Sequence, residues 1–309
     1  MKTGIKFYNT DETYPPLDFA RLVEDNGIES IWLPDHSHVP AQSRVREEDK
    51  VAYGGTASGA QQRKFDTSPV AGGPPREYYR NYDPVTTLAM MGAVTSTLKL
   101  GTGICLVVQR DPIILAKEIA TIDRLTEGRF LFGVGAGAPW NMAELENHGV
   151  DPKRRTGLML ERLEAMKQIW VNEQAEYHGK QVDFDPIYQW PKPVQQPHPP
   201  ILMGGMGPTV LDRALSHADG WIPGHSDDTF DGLGDRVTEL RERAAAVGKT
   251  MEITLNLGRL DYLDRYVEMG LDRVVYMVSA AASESETRTF VRELGKVAEE
   301  VKGAVSPQS

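Results

Sequence analysis

The chain has 309 residues, enough for two ordinary domains or for one large α/β barrel. Hydrophobic residues make up 40% of it, which supplies a sizeable core and excludes disorder of the whole chain. Lys and Arg number 34 against 44 Asp and Glu, and the net charge of -10 argues against a general nucleic-acid or anionic-membrane surface.

The N-terminal "MKTGIKFYNT" has no apolar signal core, and no run approaches the ~18 apolar residues of a membrane span. A cytoplasmic chain with no membrane partner is therefore expected. Short β-type runs succeed one another, at Ile5–Tyr8, Ser30–Leu33, Leu98–Val107, Phe130–Val134, Ile201–Met203, Gly220–Pro223, Glu252–Leu257 and Arg273–Val278. Helix-type segments separate them. In "DPIILAKEIATIDRLTEGR", Asp111 reads as N-cap, Pro112 as first helical residue and Gly128 as stop, with Leu115, Ile119 and Ile122 as the apolar stripe. Two more stripes are Met159, Leu163, Met166, Trp170 and Leu211, Ala214, Leu215, Ala218.

Eight βα units with strands too apolar to face water predict a parallel sheet covered by helices, and the closed (β/α)8 TIM barrel is the economical solution. One domain over 1–309 is expected, with two insertions. Residues 41–82 are rich in Gly, Pro and charge, lack helical periodicity, and read as a long loop or lid after strand 2. Residues 171–199, with "YHGKQVDFDP" and "WPKPVQQPHPP", read as a small hairpin and an extended lead into strand 5. The tail 303–309 reads as frayed. The single Cys105 excludes an intramolecular disulfide and, in its apolar run, reads as a buried, inert thiol.

Chemistry in such barrels gathers where strands end. After strand 2, "WLPDHSHVP" sets Asp35, His36 and His38 together, open to three readings: a metal site, loop packing, or an acid/base pair that contacts a cofactor. Strands 4, 5 and 8 end in "GAG", "GG" and "VSAAA", which offer no metal-ligating side chains, so no metal is expected. "GVGAGA" at 133–138 fits a dinucleotide pattern, yet Pro139 and Trp140 come next and "KRRTG" stands near where the acidic residue belongs. Its glycines read instead as room for a flat ligand. "GGMGPT" at 204–209 joins a strand to a helix, and reads equally as a phosphate cradle or a bare turn. Gly101 and Gly103 inside a strong strand read as a bulge or a close ligand approach.

"LKLGTGICLVVQRDPIILAKEIATIDRLTEGRFLFGVGAG", "PKPVQQPHPPILMGG" and "ADGWIP" resemble the bacterial luciferase-like superfamily. With "WLPDHSHVP" the resemblance narrows to its coenzyme F420 (deazaflavin) branch and spans about residues 4–280. It implies a contact from Asp35 to the deazaflavin and a proton-donating or clamping role for His36. It also implies a non-proline cis peptide at Gly103–Ile104 backing the ring, with Leu106 on the same wall. Ala136, Gly137 and Asn141 map to the cofactor, and Gly204, Gly205, Gly207 and Pro208 to its phosphate. Sugar-phosphate dehydrogenases of this branch carry a Glu where this chain has Ala138, so the resemblance does not extend to a glucose-6-phosphate dehydrogenase.

The activity implied by the resemblance is hydride transfer at the deazaflavin C5 with His36 moving the companion proton, acting on a small-molecule substrate. Trp140 and His225 are the expected substrate wall, and His38 a loop residue at the pocket mouth. A homodimer packed through outer helices is also implied. The alternatives are an FMN-dependent monooxygenase on the same barrel and a cofactor-binding barrel without turnover. The substrate and the direction of hydride flow are not written in the sequence.

Overall fold

Strands that are apolar on both faces need cover on both, and in the computed structural model they find it by closing into a barrel wrapped in helices. The structure describes residues 1–40, 74–138, 141–226 and 230–302. The strands are β1 Lys2–Lys6, β2 Ser30–Leu33, β3 Lys99–Thr102, β4 Cys105–Leu106, β5 Phe130–Gly135, β6 Gln174–His178, β7 Asp183–Tyr188, β8 Ile201–Gly204, β9 Gly220–Ile222, β10 Glu252–Gly258 and β11 Arg273–Met277. Order in the main sheet is β3-β2-β1-β11-β10-β9-β8-β5-β4, and a further β3–β5 pairing closes the ring. Every neighbour in it is parallel. β6 and β7 form the separate antiparallel hairpin expected within 171–199.

The helices are α1 Pro16–Asp25, α2 Arg76–Tyr79, α3 Pro84–Ala93, α4 Pro112–Leu125, α5 Met142–Asn147, α6 Arg155–Val171, α7 Val210–His217, α8 Leu233–Ala246, α9 Leu263–Glu268 and α10 Glu284–Lys302. α4 begins where its sequence says, with the Asp111 carboxylate accepting from the amides of Ile113 and Ile114, and Leu115, Ile119 and Ile122 are buried against the sheet. It ends at Leu125, and Gly128 turns the chain with φ +78°.

The expected single strand 98–107 is two. It breaks at Gly103–Ile104, a cis peptide, and then tightens into a 3-10 turn at Val107–Gln109. Of the stretch 41–82, residues 41–73 lie outside the described residues, as does the tail 303–309. Its end is not loop throughout: α2 is helical and tied to the β1 loop by ion pairs of Arg76 with Glu12 and Arg80 with Asp11.

The barrel interior is filled by Trp32, Leu131, Leu202, Ile222 and Val275, with Ile104 packed on top. Glycines make that filling possible. A Cβ on Gly101 would stand 2.5 Å from the Trp32 ring, one on Gly133 2.0 Å from the Thr102 carbonyl oxygen, and one on Gly135 2.0 Å from Ile104 Cδ1. The room expected for a flat ligand at Gly133 and Gly135 is thus taken by the protein's own atoms. At the N-terminal end Arg273, 1% exposed, is held by Glu29 at 2.8 Å, by Glu252 and by the Thr254 hydroxyl at 2.9 Å.

Gly133→Ala drives a methyl into a backbone oxygen that cannot swing aside, and is expected to cost about 1–3 kcal/mol or more in chemical denaturation. Gly207→Ala meets nothing within 4 Å. It should leave the transition within about 0.5 kcal/mol of the parent.

Candidate active site

The C-terminal end of β2 runs straight into Pro34, Asp35 and His36. Asp35 is 3% exposed, and its carboxylate accepts from the Leu106 amide at 2.9 Å and from Arg110 Nη2 at 2.9 Å and Nε at 3.3 Å. Arg110 Nη2 also reaches Asp83 at 2.7 Å. Burial alone would pull the Arg110 guanidinium down, and the carboxylates of Asp35 and Asp83 beside it more than reverse that. Both oxygens of Asp35 are therefore engaged by protein donors: the side chain assigned to the cofactor instead holds the backbone of the strand-3 bulge.

His36 comes next at the barrel mouth, its side chain 12% exposed. Its Nδ1 lies 3.2 Å from Glu144 Oε2, and its ring stacks obliquely on Tyr78 with centroids 4.8 Å apart. Glu144, on α5, also accepts from the Ser37 amide at 3.0 Å and from Asn141 Nδ2 at 2.8 Å. Burial pushes the Glu144 carboxyl up, but bonding and charge from His36, with the amides of Gln109 and Asn141, outweigh it and hold it at about 2. A carboxylate beside Nδ1 selects the tautomer that carries its proton there, which leaves Nε2 as the nitrogen able to exchange one.

Ile104 is partly exposed, and it packs between Gly135 and Gly204, whose absent side chains leave it space. Lys6, the last residue of β1, donates from Nζ to the carbonyl oxygen of the preceding Gly103 at 2.6 Å. Leu106 is 3% exposed and contributes its amide to Asp35. Ala136 and Gly137 are partly exposed on the β5 turn, with Gly137 at φ +82°. Asn141 is 4% exposed and uses its side chain on that turn, Oδ1 accepting from the Ala138 amide at 3.0 Å.

The turn after β8 is exposed at Gly205, Gly207 and Pro208. Arg236 braces it by donating to the carbonyl oxygens of Met206 at 2.8 Å and Gly207 at 3.1 Å. The Gly205 amide donates to Ile222 O at 3.3 Å, so that amide belongs to the sheet.

Two expectations for the substrate wall fare differently. Trp140 lies outside the described residues. His225 is 2% exposed, boxed by Phe230, Tyr262 and Tyr266, with the Tyr266 hydroxyl 2.8 Å from its Nδ1. Such an aromatic box makes it part of the core beneath the mouth rather than an open wall. His38 bonds to Ser37 Oγ at 2.9 Å and receives Asn147 at 2.8 Å, a loop role as expected. Among the described residues no group of three His, Cys, Asp or Glu side chains gathers that could hold a metal ion.

Arg110 stands in the sequence only as a residue following strand 3, and Glu144, Lys6 and Tyr78 were not singled out by sequence reasoning. The only signal for Glu144 was its place three residues after Asn141, on the same helix face. Lys6 meets the site from β1 and Tyr78 from α2, both far from His36 along the chain.

The depressed carboxyl of Glu144 has a consequence for pH. Its contribution is complete above the ordinary value of 4.5 and is lost as pH falls through about 2, on the order of 3 kcal/mol over that window. Glu144→Gln is expected to remove that part of the acid dependence, leaving a flatter stability profile between these limits in urea titrations at stepped pH.

The pattern of the luciferase-like monooxygenase family matches residues 15–260. An uncharacterized protein of Mycobacterium tuberculosis is 35% identical over 278 residues, 89% of this chain and 91% of that protein. The FMNH(2)-dependent dimethylsulfone monooxygenase of Pseudomonas putida is 30% identical over 178 residues, 57% of this chain and 48% of that enzyme. Among solved structures, the coenzyme F420-dependent tetrahydromethanopterin reductase of Methanopyrus kandleri superposes with a TM-score of 0.66 at 17% identity, covering 96% of this chain and 97% of that one. With a parallel barrel of this topology and a family pattern running through most of its length, the chain belongs to the luciferase-like monooxygenase family.

Proposed function

We propose that this protein is a coenzyme F420-dependent oxidoreductase of the luciferase-like family, moving a hydride between the deazaflavin C5 and a small organic substrate. The observation that carries the reading is the pairing of His36 with Glu144 at the end of β2, on a barrel whose interior ends in the partly exposed Ile104. The residues present fit such a cofactor. Ile104 offers an apolar platform for a flat ring, and the exposed, Arg236-braced turn at Gly207 and Pro208 opens α7 with room for a phosphate. When bound, the deazaflavin supplies or takes the hydride.

The chain's own share is orientation and proton handling. Glu144, its carboxyl held at about 2, fixes the His36 ring through Nδ1, so that Nε2 is left to give or take the companion proton. Asp35 and Arg110 hold the bulge beneath, and Tyr78 covers one side of the imidazole. Asp35 acts in this reading as a positioning residue rather than as a ring contact.

A flat ring with a phosphate is also what FMN would bring, and the Pseudomonas putida relative, named for FMNH(2), supports that second reading. Spectroscopic titration separates the two. Micromolar binding of the deazaflavin is expected, and FMN binding with none of the deazaflavin would overturn the first reading. With cofactor bound, His36→Ala should cut turnover by roughly 10²–10⁴-fold while binding persists; unchanged turnover would remove the proton role.

A further inference from the structure

We propose that Lys6 is the electrostatic partner of the bound cofactor ring, a buried cation that favours the ring's reduced, anionic form. The inference rests on the reading of the site as a deazaflavin or flavin site.

Side chains two apart on a strand share a face. A Cβ on Gly4 would meet Ser30 Oγ at 2.7 Å and Trp32 Nε1 at 2.9 Å, and Trp32 belongs to the barrel interior. Lys6 therefore points into the barrel as well, from the last residue of β1 on the side where the active site opens. It is 7% exposed.

Among the described residues the one other cation as fully buried, Arg273, is answered by carboxylates, and so is Arg110 beside the site. Arg273 has Glu29 and Glu252, and Arg110 has Asp35 and Asp83. Lys6 is different. Among the described residues its ammonium, with three protons to donate, has one acceptor, the Gly103 carbonyl oxygen at 2.6 Å. Burial draws its proton affinity down to about 8. A buried charge left without a counter-ion is costly, and the fold keeps this one on the carbonyl oxygen of Gly103, the residue before the one on which a ring would rest.

The chemistry of the cofactor provides the missing charge. Addition of a hydride to a neutral ring delivers two electrons and one proton, and leaves one net negative charge unless a second proton is added. A cation in the low-dielectric interior acts on that charge without needing to touch it. Charge near the ring is one of the few means by which a protein tunes such a cofactor. Lys6 would then bias the bound couple toward reduction.

The test is an anaerobic titration of the parent protein and of Lys6→Gln, Lys6→Met and Lys6→Arg with F420 and FMN, each oxidised and chemically reduced. Lys6→Gln removes the charge and keeps a neutral, slightly shorter N–H donor, and Lys6→Met removes charge and donor together. Lys6→Gln is expected to lower the ratio of reduced to oxidised affinity roughly tenfold or more, with Lys6→Arg near the parent. An unchanged ratio in Lys6→Gln would overturn the inference while leaving the cofactor reading intact. So would an equal loss of both affinities in Lys6→Gln and Lys6→Met, which would make Lys6 only a brace for the bulge. Binding of neither cofactor by the parent would overturn the cofactor reading and this inference with it.

Discussion

The buried carboxylate of Asp35 joins two parts of the chain that the barrel alone would leave loose. It accepts the Leu106 amide and the Arg110 fork at once, so the end of β2 and the segment after β3 are tied to each other. Leaving either charge alone in that environment would cost several times what an exposed pair contributes. His36 is the next residue, and its place at the mouth is inherited from this anchor. Glu144 then fixes the ring from α5, bringing a third segment into the same assembly. Orientation of the imidazole is decided by charges that do no chemistry themselves.

The two ends of the barrel are built on opposite principles. At the N-terminal end Arg273 meets two carboxylates and a hydroxyl, and it lies 5.5 Å from the Trp32 ring, a closed set suited to stability. At the C-terminal end the interior finishes in Ile104 and Lys6, an apolar shelf and a cation without a carboxylate among the described residues. Stabilisation of the fold and accommodation of a ligand are thereby separated by the length of a strand. Glycines at 101, 133 and 135 make this arrangement possible by letting Trp32, Thr102 and Ile104 occupy the narrow centre. Their role is in the packing of the barrel, which is why the ligand-cradle reading of "GVGAGA" fails at its first two glycines.

Much of the site was legible because it lies next to strand ends in sequence. Asp35 and His36 close β2, and the Gly103–Ile104 bulge interrupts an otherwise strong β pattern. What each side chain does was less legible. Asp35 and Asn141 look in sequence like groups free to meet a ligand, yet their polar atoms are taken up by Arg110, Leu106, Ala138 and Glu144. His225, a strand-end histidine like His36, is enclosed by three aromatic rings brought from the β9 and β10 loops.

By itself the sequence determined the succession of β segments, the apolar helix stripes between several of them and hence the parallel barrel, because periodicity and caps are local properties that a chain writes residue by residue. The strand-end position of the site came with that topology. Only the tertiary structure decided which polar groups pair, since the partners stand far apart along the chain: Glu144 with His36 and Arg110 with Asp35, separated by 108 and 75 residues, and Lys6 with Gly103, separated by 97. A charge is read from sequence, but whether it is answered depends on what folding brings within hydrogen-bond reach.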